Sequence, residues 1–124
     1  MATMEFNKTT GVLSWLNFGT WTARSGNWSK PLPNGLYTVE RRKITPISSK
    51  MKKGFLDNKT GKGFFVPLTA HFDLHGRHGF GIHPDGSPDG THGCIGLINN
   101  SFGFYNSIAS TAVSANITLL VSGS

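Results

Sequence analysis

The apolar segments of this chain are short, and glycine, serine, threonine and asparagine separate them throughout. The 124 residues include 16 glycines, nine phenylalanines and three tryptophans, but no long tract of alanine, leucine, glutamate and lysine. Such a composition favours strands and turns over helices. We therefore predict an all-β or β-dominated fold, organised as a single domain over residues 1–124.

Alternation of apolar and polar residues predicts where the strands lie. Residues 64–75 begin as an apolar strand and then alternate, which places His71, Asp73 and His75 on one face. Residues 45–63 are polar, basic and rich in turn formers, and we expect a mobile loop or an exposed hairpin beside a groove. We also predict hairpins within 3–25, strands over 35–43, 79–83, 94–98 and 115–122, and one helix within 99–113.

Basic residues are concentrated in the first half of the chain. Eleven of the twelve lysines and arginines lie between Lys8 and Lys62, and the formal net charge is +6. A surface of this kind attracts polyanions such as nucleic acid, acidic lipid or the bacterial envelope. It is equally the pattern of a solvated face that keeps a protein in solution.

The amino-terminal residues do not resemble a cleaved secretory signal, because no basic start precedes an uninterrupted apolar segment. No stretch approaches the length of a membrane span. Because Cys94 is the only cysteine, the chain cannot form an intramolecular disulfide, and its cysteine content does not indicate an oxidising compartment. We expect synthesis without a signal peptide and no membrane span.

The surroundings of Cys94, in the segment DGTHGCIGLINN, decide whether its thiol is a buried space-filler or a nucleophile. Gly93 lets the backbone approach a substrate closely, so the N–H groups of Gly93 and Cys94 are candidate donors to an oxyanion. His83 ends a predicted strand just before the loop that returns to Cys94, and it is a candidate base. All five histidines precede the cysteine, which disfavours papain-like peptidases, where the histidine follows.

The segment GFGIHPDGSPDGTHGCIGL resembles the active-site segment of the L,D-transpeptidases of the YkuD-like superfamily. Residues 91–95, Thr-His-Gly-Cys-Ile, match the family's Ser/Thr-His-Gly-Cys signature in order, and PNGLYTV upstream resembles its Pro-x-Gly-x-Tyr-x-Ile/Val strand. The resemblance implies a YkuD-like β-sandwich or mixed sheet with one short helix after the catalytic cysteine. It also implies that the site uses no cofactor and no metal.

In the enzymes that the segment resembles, the cysteine attacks the peptide bond between an L-configured centre and a D-amino acid of the peptidoglycan stem, and a thioester forms. The resemblance implies that Cys94 is the nucleophile and that His83 is the base, which later protonates the leaving amine. It implies an oxyanion hole from the backbone of His92, Gly93 and Cys94, with Thr91 in support. Transfer to water, a D-amino acid or a stem amine gives L,D-carboxypeptidase, exchange or cross-linking activity.

Two departures from the family pattern bear on the site. The usual spacing between the catalytic histidine and the Ser/Thr selects His75, whereas only the seven residues 84–90 separate His83 from Thr91. We favour His83, because GFGIHPDG resembles the family's Gly-x-Ile-His-Gly context and the short loop resembles the small L,D-transpeptidase effectors of type VI secretion. The second departure is Gly96, where many members have arginine.

A close counterpart of GRHGFGIH in those effectors gives Arg77 a carboxylate-binding role. The same resemblance, together with the amino terminus, implies an antibacterial effector that is made in the bacterial cytoplasm and secreted, and that acts in the periplasm of a target cell. Its partners are then peptidoglycan stem peptides and a cognate immunity protein, and not nucleic acid.

Two other functions remain open at the level of sequence. One is a metallo-hydrolase, because clustered histidine and aspartate side chains bind zinc, although the spacings of strong zinc motifs are absent. Its candidate ligands are His71, Asp73, His75, His83, Asp89 and His92. The other is a non-catalytic basic β-module that binds envelope polymer. Asp85 and Asp89 lie in PDGSPDG, where aspartate usually forms turns but can also orient an imidazole.

Overall fold

A computed structural model describes residues 3–26, 30–86, 91 and 93–124. Within these residues the chain forms nine strands, one α-helix and two short 3₁₀ turns. The strands are β1 Met4–Asn7, β2 Val12–Trp15, β3 Gly19–Ser25, β4 Gly35–Val39, β5 Thr45–Ser48, β6 Gly63–Ala70, β7 Gly81–Pro84, β8 Ile95–Leu97 and β9 Ile117–Ser122, and the helix is α1 Ser101–Ala109. The prediction of a β-dominated fold with one short helix after the cysteine is confirmed.

The nine strands form one mixed sheet in the order β4-β9-β1-β2-β3-β8-β7-β6-β5. β4 pairs with β9 on one side and with β6 on the other, so the sheet curls round and closes in the manner of a barrel. β1 pairs with β9 in parallel and β7 pairs with β8 in parallel, while the other pairs are antiparallel. Closure pairs backbone groups that an open sheet would expose at its edges.

Side chains from alternate positions of the strands fill the interior of this sheet. Met4, Phe6 and Leu119, on the adjacent strands β1 and β9, are almost completely buried. Helix α1 adds Phe104, whose ring centroid lies 5.3 Å from that of Trp21 in an edge-to-face contact. Burial of these large apolar side chains is the main stabilising contribution to such a fold.

The strand predicted over 64–75 is shorter than expected, because β6 ends at Ala70. The chain then turns, and His75 adopts a positive φ of 53°. The turn is closed locally by Asp73, whose Oδ1 accepts a hydrogen bond of 2.8 Å from the N–H of His75. The predicted stripe of His71, Asp73 and His75 on one strand face is therefore wrong, since all three residues lie beyond the strand.

Residues 45–63 form an exposed hairpin with the following strand, which is the second of the two predicted arrangements. β5 pairs antiparallel with β6, and Leu56 makes an isolated bridge to Gly63. Between them, the 3₁₀ turn Lys53–Phe55 brings an aromatic ring towards β7. This segment therefore packs against the strand that carries His83.

The strand predicted over 35–43 ends at Val39, and a 3₁₀ turn, Arg41–Lys43, follows it. Arg41 leaves the sheet because its guanidinium donates to the carbonyl oxygens of Ala109 and Thr111, at 3.2 and 3.0 Å. A cation is favourable there, at the negative end of the helix dipole. Helix α1 occupies the middle of the predicted range 99–113, and within the described residues no helix is both long and apolar enough to span a bilayer.

Candidate active site

Strands β7 and β8 run in parallel and position His83 and Cys94, the two residues that the sequence predicts to be catalytic. Ile82 pairs with Ile95, and His83 pairs with Gly96. Both isoleucines are fully buried in the core, so the alternate positions of these strands lie on the opposite face. Cys94 directly precedes β8 and falls on the same face as His83. We call this the site face, defined by His83 and Gly96.

His83 is held in one tautomer by its own strand. Its Nδ1 lies 2.6 Å from the backbone carbonyl oxygen of Pro84, and only a protonated Nδ1 donates to that oxygen. In the neutral ring the lone pair is then on Nε2. Nε2 is buried and has no hydrogen-bond partner among the described residues. A buried polar atom without a partner is uncommon in native proteins, and a catalytic role is one of its causes.

Aromatic rings remove His83 from solvent. The ring centroids of Phe55 and Phe65 lie 4.3 and 6.1 Å from that of the imidazole, and only 2% of the residue is exposed. This burial lowers the pKa of His83 below its ordinary value, against the smaller opposing effects of the Pro84 carbonyl and the Asp85 carboxylate. The imidazole is therefore neutral at neutral pH and able to accept a proton.

Cys94 is half-buried, and its thiol lies against the residues that lead into β7. Sγ is 3.7 Å from the carbonyl oxygen of Gly79, to which the thiol donates. Burial raises the pKa of the Cys94 thiol, and a hydrogen bond from the N–H of Gly81 opposes this rise. The resting thiol is therefore protonated at neutral pH.

The thiol and the imidazole share the site face, although no hydrogen bond joins them in the described part of the chain. Cys94 is two positions away from Gly96, which is the partner of His83 across the β7–β8 ladder. Strands lie about 4.8 Å apart and rise about 3.3 Å per residue, so diagonal neighbours of this kind have Cα atoms roughly 8 Å apart. The register of β7 and β8 therefore makes the two residues diagonal neighbours, and no hydrogen bond joins their side chains among the described residues.

Thr91 ties the loop before Cys94 to the end of strand β3. Its hydroxyl accepts hydrogen bonds from the N–H groups of Gly26 and Gly93, at 2.9 and 3.2 Å, and donates to the carbonyl oxygen of Cys94 at 2.7 Å. The N–H of Gly93, which the sequence nominates as an oxyanion donor, is therefore engaged by Thr91. His92, the other nominated residue of this loop, lies outside the described residues.

Ser25, the last residue of β3, supports the same loop and was missed by sequence reasoning. Its hydroxyl donates to the carbonyl oxygen of Gly93 at 2.9 Å and accepts from the N–H of Leu32 at 2.8 Å. Gly93 has a φ of 124°, a conformation that is strained for any residue with a Cβ. Only the pairing of β3 with β8 brings residues 25 and 93 together, so no local sequence signal could have revealed the contact.

Arg77 lies beside this loop, and its guanidinium donates to backbone carbonyls. The bonds run to the carbonyl oxygens of Lys30 and Pro31, at 2.8 and 3.1 Å, and the guanidinium carbon stands 4.8 Å from the ring centroid of Phe80. One terminal nitrogen lies 2.7 Å from the point where a Cβ on Gly93 would be. Arg77 therefore packs against the loop, and its carboxylate-binding role stays a prediction.

A groove of about 320 Å³ lies along the end of β6 and the segment that leads into β7. It extends to Gly79, whose carbonyl oxygen accepts the thiol hydrogen bond. Apolar Phe72 and Leu74 and polar Asp73 and His78 are among its lining residues. A groove with an apolar wall and a few polar groups is suited to hold part of a peptide next to the nucleophile.

The other described histidines, His71, His75 and His78, belong to no cluster of metal-ligating side chains among the described residues. No group of three histidine, cysteine or acidic side chains that could hold a metal occurs in the ranges 3–26, 30–86, 91 and 93–124. His75, the alternative base, has 87% of its side chain exposed and lies 3.6 Å from Asp73. Two of the six candidate zinc ligands, Asp89 and His92, fall outside the described residues.

A buried neutral imidazole and a half-buried thiol thus lie on one face of the closed β-sheet. This arrangement defines the class of site, a candidate site for thiol-dependent acyl transfer. The chain belongs to the YkuD family, the L,D-transpeptidase catalytic domain, whose match covers residues 3–112. No curated protein sequence matches it.

The fold is similar to that of L,D-transpeptidase 1 of Mycobacterium tuberculosis, with 17% sequence identity and a TM-score of 0.55. The similarity covers 97% of this chain and 60% of that one, so the chain spans about three fifths of the length of the solved structure. At this level of identity the likeness concerns the fold alone. It agrees with the mixed β-sheet and single helix described above.

Proposed function

We propose that this protein is a cysteine acyltransferase that acts on the L,D-peptide bond of peptidoglycan stem peptides, with Cys94 as nucleophile and His83 as base. Membership of the L,D-transpeptidase family supports the substrate class. The observation that carries the proposal is the buried Nε2 of His83, which has no hydrogen-bond partner among the described residues and lies on the sheet face that also presents the only cysteine of the sequence.

Acylation begins when the thiol proton passes to Nε2 of His83, while Nδ1 keeps its own proton on the Pro84 carbonyl. The sulfur of Cys94 bonds to the scissile carbonyl carbon, and the carbonyl oxygen becomes an oxyanion. Collapse of this intermediate breaks the C–N bond, and His83 gives its proton to the departing amine of the D-residue. The acyl group stays on Cys94 as a thioester, and the imidazole is neutral again.

The resting pair is a neutral thiol beside a neutral imidazole, because burial raises the pKa of Cys94 and lowers that of His83. The thiol therefore loses its proton when the substrate arrives and not beforehand. An oxyanion hole formed by the backbone of residues 92–94 requires that the N–H of Gly93 leave the hydroxyl of Thr91, to which it donates at 3.2 Å.

The acyl part of the stem occupies the groove beside Gly79, and the leaving residue lies on the side of His83. Microscopic reversibility then places the acceptor where the leaving amine was, since His83 must deprotonate the incoming nucleophile. Water as acceptor gives an L,D-carboxypeptidase, a D-amino acid gives exchange, and a stem amine gives a cross-link. We include all three activities in the proposal.

We further propose that the protein is an antibacterial effector that acts in the periplasm of a target cell and is neutralised by a cognate immunity protein in its producer. The support is the likeness of GRHGFGIH and of the short interval between His83 and Thr91 to small type VI secretion effectors. Targeting the wild-type chain to the periplasm of a susceptible bacterium is expected to lyse it, while Cys94→Ala is expected to be harmless. Equal lysis by both would contradict the effector role.

The enzymatic proposal is tested with purified protein and defined stem peptides, whose products are identified by mass. Wild type is expected to release the terminal D-residue, exchange it or form dimers, and Cys94→Ala and His83→Gln are expected to lose at least about 10³-fold in rate. His71→Gln is the matched control, because His71 lies in the turn after β6 and bonds to Thr38. Turnover by Cys94→Ala, or no product from any stem peptide, would refute the proposal.

A further inference from the structure

The hairpin segment over residues 45–63 carries an unbalanced positive charge. It contains five lysines but a single acidic residue, Asp57. All five lysines are exposed, and none of them forms an ion pair within the part of the chain that the structure describes. We call these residues the hairpin lysines, and they are Lys50, Lys52, Lys53, Lys59 and Lys62. Clustered cations without counter-charges produce a positive potential, which attracts polyanions.

The carboxylate of Asp57 is bonded within the fold. Its Oδ1 accepts hydrogen bonds from the N–H groups of Lys59 and Thr60, at 2.8 and 3.3 Å, and its Oδ2 accepts from the hydroxyl of Ser101 at 3.0 Å. Ser101 is buried at the first position of α1. Asp57 therefore fastens the tip of the hairpin segment, residues 57–62, to the start of the helix.

The hairpin segment lies at the edge of the candidate active site. Its Phe55 ring covers the imidazole of His83, with 4.3 Å between the ring centroids. A cleft of about 260 Å³ is lined by Lys59 at the tip, by Asn99 after β8 and by Asp85, which follows His83 by two positions. The hairpin lysines are therefore on a surface that borders the site.

We propose that the hairpin lysines bind carboxylates of the assembled peptidoglycan, on stem peptides next to the one that occupies the site, an inference that rests on the proposed function. Each stem peptide ends in a carboxylate, which is an anion at neutral pH. Lysines are flexible point charges, and they suit a field of many carboxylates better than one fixed geometry. Contact with neighbouring stems holds the enzyme on the polymer and raises the effective concentration of substrate at Cys94.

Two double variants with the same net charge test where the polymer binds. Lys59→Gln/Lys62→Gln removes two hairpin lysines from the tip, and Arg42→Gln/Lys43→Gln removes two exposed cations from the 3₁₀ turn after β4. The tip is fastened to the first residue of α1, whereas that turn bonds to its last residue through Arg41. The ends of this helix are roughly 12 Å apart. That separation exceeds the Debye length of about 10 Å in moderate salt.

Binding is measured by sedimentation with insoluble peptidoglycan sacculi that carry no phosphate polymer, in a Cys94→Ala background so that no turnover occurs. Lys59→Gln/Lys62→Gln is expected to bind at least about 5-fold more weakly than this background at low salt. Arg42→Gln/Lys43→Gln is expected to bind less than about 2-fold more weakly. Added salt is expected to weaken the binding of the background protein, and amidation of the carboxylates of the sacculi is expected to abolish it.

Activity separates this surface from the chemistry of the site. With Cys94 intact, Lys59→Gln/Lys62→Gln is expected to turn over a soluble stem tetrapeptide at the wild-type rate and to be slower only on sacculi. Equal weakening of binding in the two double variants would overturn the inference, and so would binding that survives amidation. Turnover of the tetrapeptide together with either result would overturn the inference alone. Binding that depends on the two lysines, without turnover of any stem peptide by wild type, would refute the proposed function but not the binding surface.

Discussion

At the scale of single residues, the proposed chemistry depends on two groups whose environments shift their pKa values in opposite directions. Burial raises the pKa of the Cys94 thiol, and burial lowers the pKa of the His83 imidazole. Both shifts favour the uncharged forms, so the resting site holds a thiol and a free base rather than an ion pair. This differs from thiol enzymes in which a preformed thiolate faces an imidazolium.

The neutral resting state makes a prediction for the reactivity of Cys94. Alkylation by iodoacetamide follows the thiolate, and the chain has one cysteine, so the rate reports one site. We expect the midpoint of the rate against pH to lie above about 8.5, the ordinary value for cysteine. A midpoint below that value, lost in His83→Gln, would instead indicate a preformed thiolate–imidazolium pair.

Thr91 is expected to stabilise the loop that carries Cys94, because its hydroxyl makes three hydrogen bonds and the residue is almost completely buried. Thr91→Val keeps the shape but leaves the N–H groups of Gly26 and Gly93 without their acceptor. We expect a loss of roughly 1–3 kcal/mol in the free energy of unfolding, measured with denaturant. Thr91→Ser, which keeps the hydroxyl, is the control, and equal losses in both variants would show that the bonds are not the cause.

The sequence predicted some residues of the candidate site and missed others, for a physical reason. Cys94, His83 and Thr91 belong to one continuous segment whose order and spacing resemble a family signature. Ser25 lies on a strand about 70 positions earlier, and only the β3–β8 register brings it to Gly93. Side chains that meet through strand pairing leave no local pattern from which a single sequence can predict them.

At the scale of elements, the hairpin segment before β6 shields the His83 imidazole from water. The turn Lys53–Phe55 packs on β7, with the Phe55 ring 4.3 Å from that of His83. A Cβ at position 86 would clash with the backbone carbonyl oxygens of Lys53 and Leu56, so only glycine fits there. The N–H of Gly86 donates to the carbonyl oxygen of Gly54 at 3.0 Å. The hairpin is therefore attached to the strand end that follows His83.

Removing the ring that covers His83 is expected to change its titration. Phe55→Ala admits water to the imidazole, and since burial is the main cause of the lowered pKa, the pKa of His83 is expected to rise towards about 6.5. The shift is measured by NMR titration of the histidine ring protons. Phe18→Ala is the matched control, because Phe18 stacks on Trp15 in the β2–β3 turn, with ring centroids 4.1 Å apart. Identical His83 titration in wild type and Phe55→Ala would contradict this account.

The sequence predicted the kind of element better than its ends. Alternation identified β6, but the strand stops at Ala70 because the Asx turn at Asp73 and the positive φ of His75 bend the chain away. The strand predicted to reach residue 43 stops at Val39, and Arg41, two residues further on, hydrogen-bonds to the carbonyl oxygen of Ala109 at the end of α1. In both cases a contact beyond the local segment, or a side chain bonding to its own turn, decided the boundary.

At the scale of the whole molecule, closure of the sheet depends on β4 and β9. β4 pairs with β9 over residues 35–39 and 117–121, and it also pairs with β6. These segments are far apart in sequence, so neither composition nor alternation predicts that they meet. The family resemblance predicted a β-sandwich or mixed sheet, and the structure shows one mixed sheet that closes through the β4–β6 pair.

Two adjacent leucines of β9 allow the effect of side-chain burial on stability to be measured separately from the effect of position in the strand. Leu119 is fully buried in the core, whereas Leu120 is 40% exposed on the other face. Leu119→Ala is expected to lower the free energy of unfolding by roughly 2–5 kcal/mol, because it leaves a cavity in the closed core. Leu120→Ala is expected to cost about 1 kcal/mol or less. Denaturant unfolding measures both, and equal losses would argue against a core inside the closed sheet.

The most direct measurement for the proposed chemistry is the mass of the intact protein, quenched with acid seconds after mixing with a stem tetrapeptide. We expect an adduct equal to the tetrapeptide without its terminal D-residue, attached to the peptide that contains Cys94 and absent from Cys94→Ala. Product release at the wild-type rate by Cys94→Ala, with no adduct in either protein, would contradict a thioester at this cysteine.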